Sequence, residues 1–360
     1  MRSVLFVSKP VTPPWNDSSK NLVRDVSTHL RGFEARVMTT RHHAAPPGTR
    51  AVPIYPQAGR FAPGLSANLR VLGRLLGAPL RRRDHLWHFF FAPNPRSSDA
   101  ARWAARTRRM PTVQTVCSAP AREVDLRRVL FADVTIALSA HTEQRLASAA
   151  NVVRIPPAIA PLPRPTPEQR TAWRRALQLP DAPIVVYPGD LEFGGGAERT
   201  IRAAADMDAY VVMACRLKTD AARTREVELR ALADRLAPGR VQWVGETARI
   251  HDLLACADVV ALPSETLYAK MDYPLVLLEA MLLERPVVVC AGTPAAELQS
   301  AGARAVDADV DALRAELRSL LDDADERARM GARSRAAVLE RFSPSAVAAE
   351  YEAVYRSILG

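Results

Sequence analysis

The chain has 360 residues, 48% hydrophobic and 24% charged, which are the proportions of a globular protein and exclude a disordered one. No apolar run approaches the roughly eighteen residues that a spanning helix needs. The net charge of +10 is uneven, because residues 1–178 carry 28 Lys/Arg against 10 Asp/Glu and the rest is net negative. Such a basic half can attract phosphate-bearing substrates or anionic membranes, although an Arg-rich surface without function is the alternative.

The first half alternates short apolar segments with longer amphipathic ones. Its start, MRSVLFVSKP, has too short an apolar part for a signal peptide and lacks a cleavage pattern, so it predicts a first strand and a cytoplasmic protein. The predicted strands are 3–8, 35–40, 85–91, 111–116 and 134–139, and the predicted helices lie near 19–31, 66–78, 98–109 and 141–149. This alternation is typical of a parallel sheet with crossover helices.

The loop after the first predicted strand gathers small polar and charged groups at a helix N-terminus. We interpret Asp17, Ser18, Lys20 and Asn21 as candidates for an acceptor or phosphate contact. A helix cap is the alternative for Asp17 and Ser18, but it does not explain Lys20.

Two basic stretches follow in the first half, at 65–83 and 102–109. The first has leucines at helical spacing with arginines at its edges, so it could lie on an anionic bilayer or be an ordinary core-facing helix. Nucleic-acid binding is not expected, since aromatic residues make up only 6% of the chain and no known module is visible. His42, His43, His85 and His88 show no metal-ligand spacing and are interpreted as structural.

Six prolines between Pro156 and Pro167 disfavour a helix interior or a central strand, and they predict a linker. Beyond it, strands are predicted at 184–189, 210–215, 240–245, 258–263 and 286–291. The prediction is an α/β protein with two doubly wound Rossmann-like domains facing each other across a cleft. The domains are 1–160 and 181–342, with a linker at 161–180 and a closing helix at 343–360 that crosses back to the first domain.

Two loops of the second half offer groups for a phosphate. Gly194, Gly195 and Gly196 precede a helix, where a glycine-rich turn brings backbone N–H groups close to an anion, although a plain tight turn is the alternative. Arg216 and Lys218 end a buried strand and suit a diphosphate, with solvated surface cations as the alternative.

The segment 263–281, PSETLYAKMDYPLVLLEAM, is the most informative in the chain. Pro274 suits the first turn of a helix and Asp272 its cap, and nearly every early side chain of that helix is apolar. Glu279 would be costly there unless its carboxylate accepts several hydrogen bonds, which the hydroxyls of a ribose or a structural partner can supply.

These residues resemble the donor-binding signature of family 4 glycosyltransferases of the GT-B fold, usually Glu-Gly-Phe-Pro-Leu, three hydrophobic residues, then Glu-Ala. The segments 240–265, 132–159 and 342–359 are similar to further parts of that family. The resemblance implies that Glu279 binds the ribose of the donor. It places Met271, Asp272 and Tyr273 at the diphosphate and sugar, and Ser264 and Lys270 complete the predicted donor site.

The sequence departs from the family pattern at several positions, among them a missing Gly-Gly loop after the first strand and the glycines that replace the region of the family's Lys. Met271 replaces the first Glu, eight residues before Glu279, and Asp272 beside it is predicted to take over the contact to the transferred sugar as the catalytic residue. Asp190 stands where the family has Arg, and Cys117 stands where it has His. Arg216, Lys218 and Lys270 are expected to supply the missing positive charge.

The resemblance implies a retaining, metal-independent glycosyltransferase of the hexosyltransferase class that needs no cofactor. Its substrates would be a nucleoside diphosphate sugar and an acceptor, with a lipid-linked or phosphate-bearing acceptor and peripheral contact with the inner face of the membrane as further expectations. A sugar-nucleotide epimerase, which shares the fold, and a catalytically degenerate protein that binds a glycan or an anionic membrane are the alternatives. The four cysteines have no CxxC or Cys/His spacing, so no metal site is predicted.

Overall fold

The computed structural model of the chain describes residues 1–56, 64–77, 84–121, 123–217, 219–268 and 270–360. These residues form two compact units. Unit 1 consists of Met1–Ala160, Arg341–Gly360 and the short segment 270–272, and unit 2 consists of Pro161–Tyr268 and Tyr273–Glu340.

Unit 1 is built on a seven-stranded, fully parallel sheet. Its strands are β1 Ser3–Val7, β2 Glu34–Thr40, β3 Arg50–Tyr55, β4 Leu86–Phe91, β5 Thr112–Val116, β6 Val134–Ala137 and β7 Val152–Arg154. Their spatial order is β3-β2-β1-β4-β5-β6-β7, so the direction of winding reverses between β1 and β4. Leu5, Met38, Trp87 and Phe89 lie in the core of this unit.

Six helices complete unit 1 within the described residues. They are α1 Ser18–Ser27, α2 Leu65–Leu76, α3 Pro95–Arg108, α4 Leu126–Val129, α5 Ala140–Leu146 and, from the end of the chain, α13 Pro344–Leu359. Helix α13 packs against α1, and its Tyr355 hydroxyl lies 2.6 Å from Nδ1 of the fully buried His88. Nε2 of His88 lies 2.8 Å from Thr115 Oγ1, so both ring nitrogens have partners, as a structural histidine requires.

Unit 2 contains a second fully parallel sheet, of six strands. Its strands are β8 Ile184–Tyr187, β9 Tyr210–Met213, β10 Val241–Trp243, β11 Val259–Leu262, β12 Val287–Cys290 and β13 Arg304–Val306. Their order is β10-β9-β8-β11-β12-β13, which places the reversal of winding between β8 and β11. Val185, Ala261, Leu313 and Leu317 belong to its core.

The helices of unit 2 lie before, between and after its strands. They are α6 Pro167–Ala176, α7 Gly196–Ala204, α8 Asp220–Leu236, α9 Ile250–Cys256, α10 Leu275–Leu282, α11 Val310–Asp322 and α12 Ala324–Arg341, with a 3-10 segment at Pro294–Ala301. Within the described ranges, none of the helices combines the length and the apolar character that a membrane crossing requires. The predicted α/β fold with two parallel sheets is confirmed.

Helix α6 lies inside the stretch predicted as a proline-rich linker. Pro167 occupies the first turn, where the missing N–H costs nothing, and Thr166 and Gln169 form a reciprocal capping box. The prolines that precede position 167 therefore lead into a helix.

Candidate functional site

The strand order places the candidate site of unit 2. In open parallel sheets, ligands bind beyond the carboxyl ends of the strands at the point where the winding reverses. In unit 2 this point lies between β8 and β11, which pair directly through Val185 and Val186 of β8. The loops that follow these two strands carry the predicted glycine turn and the predicted sugar-binding segment.

The glycine turn packs closely against the loop after β11. Gly194 and Gly195 have φ angles of 74° and 63°, a conformation that favours glycine. A Cβ atom on Gly196 would lie 2.3 Å from Ser264 Oγ, so a larger residue does not fit there. Helix α7 begins at Gly196, and no described side chain caps it. The turn thus brings a helix N-terminus beside Ser264, and phosphate binding by it remains a prediction.

The predicted diphosphate cations are placed in part. Arg216 lies in the loop after β9, with a quarter of its side chain exposed, and its guanidinium is 3.5 Å from Glu246. Lys218 lies outside the described residues. Asp190, which stands in the place of the family's Arg, accepts a 2.9 Å hydrogen bond from the backbone N–H of Glu192.

Arg199 of α7 is a buried cation that the sequence analysis did not select. Its guanidinium donates to the backbone carbonyl of Pro263 and pairs with Glu265. This cation ties α7 to the loop after β11. An arginine in the first turn of the helix that follows a glycine turn is the signal that could have identified it.

Glu279 lies on α10, whose other side chains are apolar. Its side chain is 18% exposed, and its Oε1 atom lies 3.4 Å from Nε2 of His251 on α9. The hydrogen bond to Glu279 raises the pKa of His251 against the opposing effect of burial. The carboxylate therefore has a protein partner on one side. His251 was missed by the sequence analysis, although it follows the loop that resembles the family's base-binding loop.

The segment before α10 is buried. Asp272 accepts a 2.7 Å hydrogen bond from the hydroxyl of Ser139, which belongs to unit 1 as Asp272 does. Met271 and Tyr273 are also buried, and the Tyr273 hydroxyl donates to Glu297 at 2.6 Å. The prediction that Asp272 caps α10 is wrong, because Pro274 occupies the cap position and the Asp272 carboxylate bonds to Ser139 instead. Lys270 lies at the start of this segment, within unit 1.

The loop after β1 uses most of its predicted acceptor residues for its own structure. Asp17 caps α1 by accepting from the backbone N–H groups of Ser19 and Lys20, and it pairs with Lys9 at 2.7 Å. The pKa of Asp17 is lowered, because its bonds to Lys9 and to the helix N-terminus outweigh the burial that would raise it.

The other predicted groups of that loop fold it back on itself. The Lys20 ammonium is buried and donates to the carbonyl of Pro14 at 3.0 Å, and burial lowers its pKa. The Asn21 amide donates to the carbonyl of Trp15 at 3.2 Å, and Ser18 is half-buried at the start of α1. The acceptor assignment of these residues stays a prediction.

Cys117 occupies the end of β5, where the family has His. Its thiol is buried, and burial raises its pKa to about 12, with the negative charges of Asp17 and Asp272 adding to the shift. A neutral thiol therefore faces two carboxylates in unit 1. In the described ranges no three His, Cys, Asp or Glu residues cluster as metal ligands would.

Comparison with known proteins identifies the C-terminal part of the chain. Residues 182–323 match the family model described as Glycosyl transferases group 1. The GDP-mannose-dependent monoacylated alpha-(1-6)-phosphatidylinositol monomannoside mannosyltransferase of Corynebacterium glutamicum is 32% identical over 210 residues, which are 56% of this chain. The aligned part is 53% of that protein, so the chain spans about half the length of this curated relative.

Solved structures match over nearly the whole chain. Anabaena Alr3699/HepE in complex with UDP-glucose has a TM-score of 0.78 and 18% identity over 99% of this chain and 100% of that chain. Sucrose-phosphate synthase from Thermosynechococcus elongatus has a TM-score of 0.75 and 20% identity over 99% of each chain. These matches confirm the predicted GT-B fold and, with the family model, the predicted resemblance to group 1 glycosyltransferases.

Proposed function

From the premise that residues 182–323 are a glycosyl transferases group 1 domain in a GT-B protein, we propose that the chain transfers a hexose from a nucleoside diphosphate sugar to an acceptor. The observation that carries this proposal is the pairing of β8 with β11 at the reversal point of unit 2. The loops after these strands hold the glycine turn and lead to α10 with Glu279, the groups that a diphosphate and a ribose require.

Each part of the donor has an assigned partner in this proposal. Glu279 accepts hydrogen bonds from the ribose hydroxyls, and the N-terminus of α7 with Arg216 binds the diphosphate. Asp272 contacts the transferred sugar. The remaining assigned donor contacts are Lys218, Lys270, Met271, Tyr273, Ser264, Gly194, Gly195 and Gly196.

We propose that the reaction is retaining and independent of metal and cofactor, as the family resemblance implies. The acceptor hydroxyl forms a bond to the anomeric carbon while the bond from that carbon to the diphosphate oxygen breaks. The hydroxyl attacks on the face of the sugar from which the diphosphate leaves, so retention needs no protein nucleophile, and its proton passes to the leaving diphosphate, so no protein base is needed. Arg216 and the helix N-terminus stabilise the charge that develops on the diphosphate.

For the acceptor we propose a lipid-linked or phosphate-bearing molecule. Unit 1 contains residues 1–160, which are most of the basic half of the chain, and on α2 Leu65 and Leu69 are 77% and 59% exposed beside the exposed Arg70. An apolar edge with flanking cations suits the surface of an anionic membrane. The name of the Corynebacterium relative describes a phosphatidylinositol-linked acceptor for that protein.

A second candidate function is a GT-B protein that binds ligands without turnover. Two observations favour it: Arg216 lies 3.5 Å from Glu246, and a neutral Cys117 occupies the place of the family's His. An epimerase would convert the nucleotide sugar without any acceptor, and the described site offers no evident acid/base pair for that reaction.

The proposal is tested first by thermal shift with a panel that includes GDP-mannose, UDP-glucose and their nucleoside diphosphates. A ligand that binds the folded state raises the melting temperature by mass action. The stabilising donor is then incubated with anionic vesicles that contain lipid-linked acceptors. Acceptor-dependent release of the nucleoside diphosphate supports transfer, whereas stabilisation without turnover favours the binding protein. A new nucleotide sugar formed without acceptor identifies an epimerase.

A further inference from the structure

His251 approaches Glu279 from the neighbouring helix of unit 2. Its Nε2 atom lies 3.4 Å from Glu279 Oε1, and the two side chains are 47% and 18% exposed. Helix α9 packs directly against α10, so this approach follows from the helix pairing. The contact joins two residues that are 28 positions apart in the sequence.

Few other groups around this contact can hold the Glu279 carboxylate in place. Glu279 is the one charged residue within α10, and the helix is otherwise apolar. A carboxylate on a long side chain adopts several rotamers, and a single anchored oxygen reduces that freedom. Anchoring Oε1 leaves the second oxygen available to accept from another donor.

The other charged groups around α9 are engaged elsewhere. On α9 itself, Asp252 pairs with Arg249 at 2.8 Å. The charges of Arg170 and Arg174 on α6 act on the pKa of the Cys256 thiol at the far end of α9. The charge of Arg285 acts on the same thiol. The strand β8 that packs against α9 contributes no charged residue, since its sequence is IVVY. Of the described neighbours, Glu279 and Asp252 are the charged groups that act on His251.

We propose that His251 is a positioning residue that fixes the Glu279 carboxylate for recognition of the donor ribose. This inference rests on the proposed function, because it takes Glu279 as the ribose contact. The imidazole holds Oε1, and Oε2 accepts from the vicinal hydroxyls of the nucleoside. His251 thereby sets how strongly the site distinguishes a ribose from a 2′-deoxyribose.

The charge of His251 makes this recognition depend on pH. Glu279 raises the pKa of the imidazole, and the charge of Asp252 acts in the same direction while burial opposes it. The imidazolium pairs with the carboxylate at pH values below this raised pKa. The pair weakens as pH rises through that pKa. The preference of the site for ribose over 2′-deoxyribose therefore falls toward alkaline pH.

The test compares GDP with 2′-deoxy-GDP and UDP with 2′-deoxy-UDP by isothermal titration at pH 6 and pH 9. In the wild type the ribonucleotide binds more tightly, and this preference is larger at pH 6. In His251→Ala the preference for the ribonucleotide falls about fivefold, which corresponds to the free energy of one ordinary hydrogen bond. In His251→Gln part of the preference is retained, and it does not change with pH. Asp252→Asn, a control on the same helix that leaves the contact with Glu279 in place, keeps the preference and a pH response of the same sign.

Two results overturn the inference. If ribonucleotides bind the wild type but their preference over deoxyribonucleotides is the same in His251→Ala, His251 does not position Glu279, and the proposed function stands. If neither nucleoside diphosphate binds the wild type, the proposed function fails and this inference fails with it. A general loss of folding lowers both affinities equally, so the ratio separates positioning from structural damage. If His251→Ala does not fold, the wild type is compared with His251→Gln instead. The change with pH in their preference for ribonucleotides over deoxyribonucleotides gives the same decision.

Discussion

The Ser139 hydroxyl donates a 2.7 Å hydrogen bond to the Asp272 carboxylate, and both side chains are buried, at 0% and 2% exposure. The same hydroxyl oxygen is the N-cap of α5 and accepts from the backbone N–H of Thr142 at 3.1 Å. The N-terminus of α5 therefore holds the Ser139 hydroxyl in place, and this hydroxyl in turn holds the Asp272 carboxylate. Asp272, which lies beside the position of the family's first Glu, is held by the scaffold of unit 1.

Replacing Ser139 by Ala removes the helix cap and a hydrogen bond to a buried carboxylate together. We expect the free energy of unfolding to fall by about 2 kcal/mol. The turnover number should fall as well, because Asp272 loses the group that orients it. Urea denaturation measures the first effect and steady-state kinetics the second. Ser139→Thr keeps the hydroxyl and should restore most of both, and equal losses in the Thr and Ala variants would contradict this explanation.

Replacing Gly196 by Ala forces a Cβ atom to within 2.3 Å of Ser264 Oγ. Either the Ser264 hydroxyl must rotate away or the glycine turn must shift from the loop after β11, so we expect lower stability and weaker nucleoside diphosphate binding. Gly73→Ala is the matched control, since nothing lies within 4 Å of its Cβ position in the middle of α2. Calorimetry should show that the free energy of unfolding of the control rises by up to about 1 kcal/mol, because alanine has a higher helix propensity than glycine. A Gly196→Ala protein as stable as the control would contradict the close packing.

The buried His88 predicts a loss of stability in mild acid. Burial lowers the pKa of His88 well below its ordinary value, so the folded protein keeps the ring neutral while the unfolded chain protonates it below about pH 6.5. The unfolded state then binds more protons, and stability falls as pH decreases, by at most about 1.4 kcal/mol per pH unit from this group. Chemical denaturation between pH 5 and pH 8 checks the slope, which should be shallower in His88→Gln. Identical slopes in both proteins would refute the assignment.

Most elements of the fold could be predicted from the sequence, because apolar runs that end in Gly, Pro or Ser mark buried parallel strands. The elements missed include strands at sheet edges, the four-residue α4 and, in the proline-rich region, α6. Strand β3 contains Pro53. An edge strand tolerates proline because one of its sides forms no backbone hydrogen bonds to a neighbouring strand. Strands β7 and β13 are three-residue edge strands, too short to show a pattern.

The segments of the candidate site were predictable, but the contacts of their side chains were not. The apolar run of α10 identified Glu279, but nothing in the sequence shows that His251 reaches it from α9. Asp272 was expected to cap α10, and the tertiary contact with Ser139 competes successfully for its carboxylate. Lys20 is predicted to contact an acceptor or a phosphate, and the sequence does not show that its ammonium also donates to the carbonyl of Pro14. Long-range partners of polar side chains decide these outcomes.

Binding of the nucleoside diphosphate to a Glu279→Ala variant tests the central claim most directly. Titration calorimetry of the wild type and the variant with the nucleoside diphosphate that stabilises the protein should show affinity reduced by at least about tenfold, with an unchanged melting temperature without ligand. Glu228→Ala, which alters an exposed carboxylate on α8 of the same unit, should bind as the wild type does. Equal affinities of the wild type and Glu279→Ala would contradict the assignment of α10 as the helix that binds the donor.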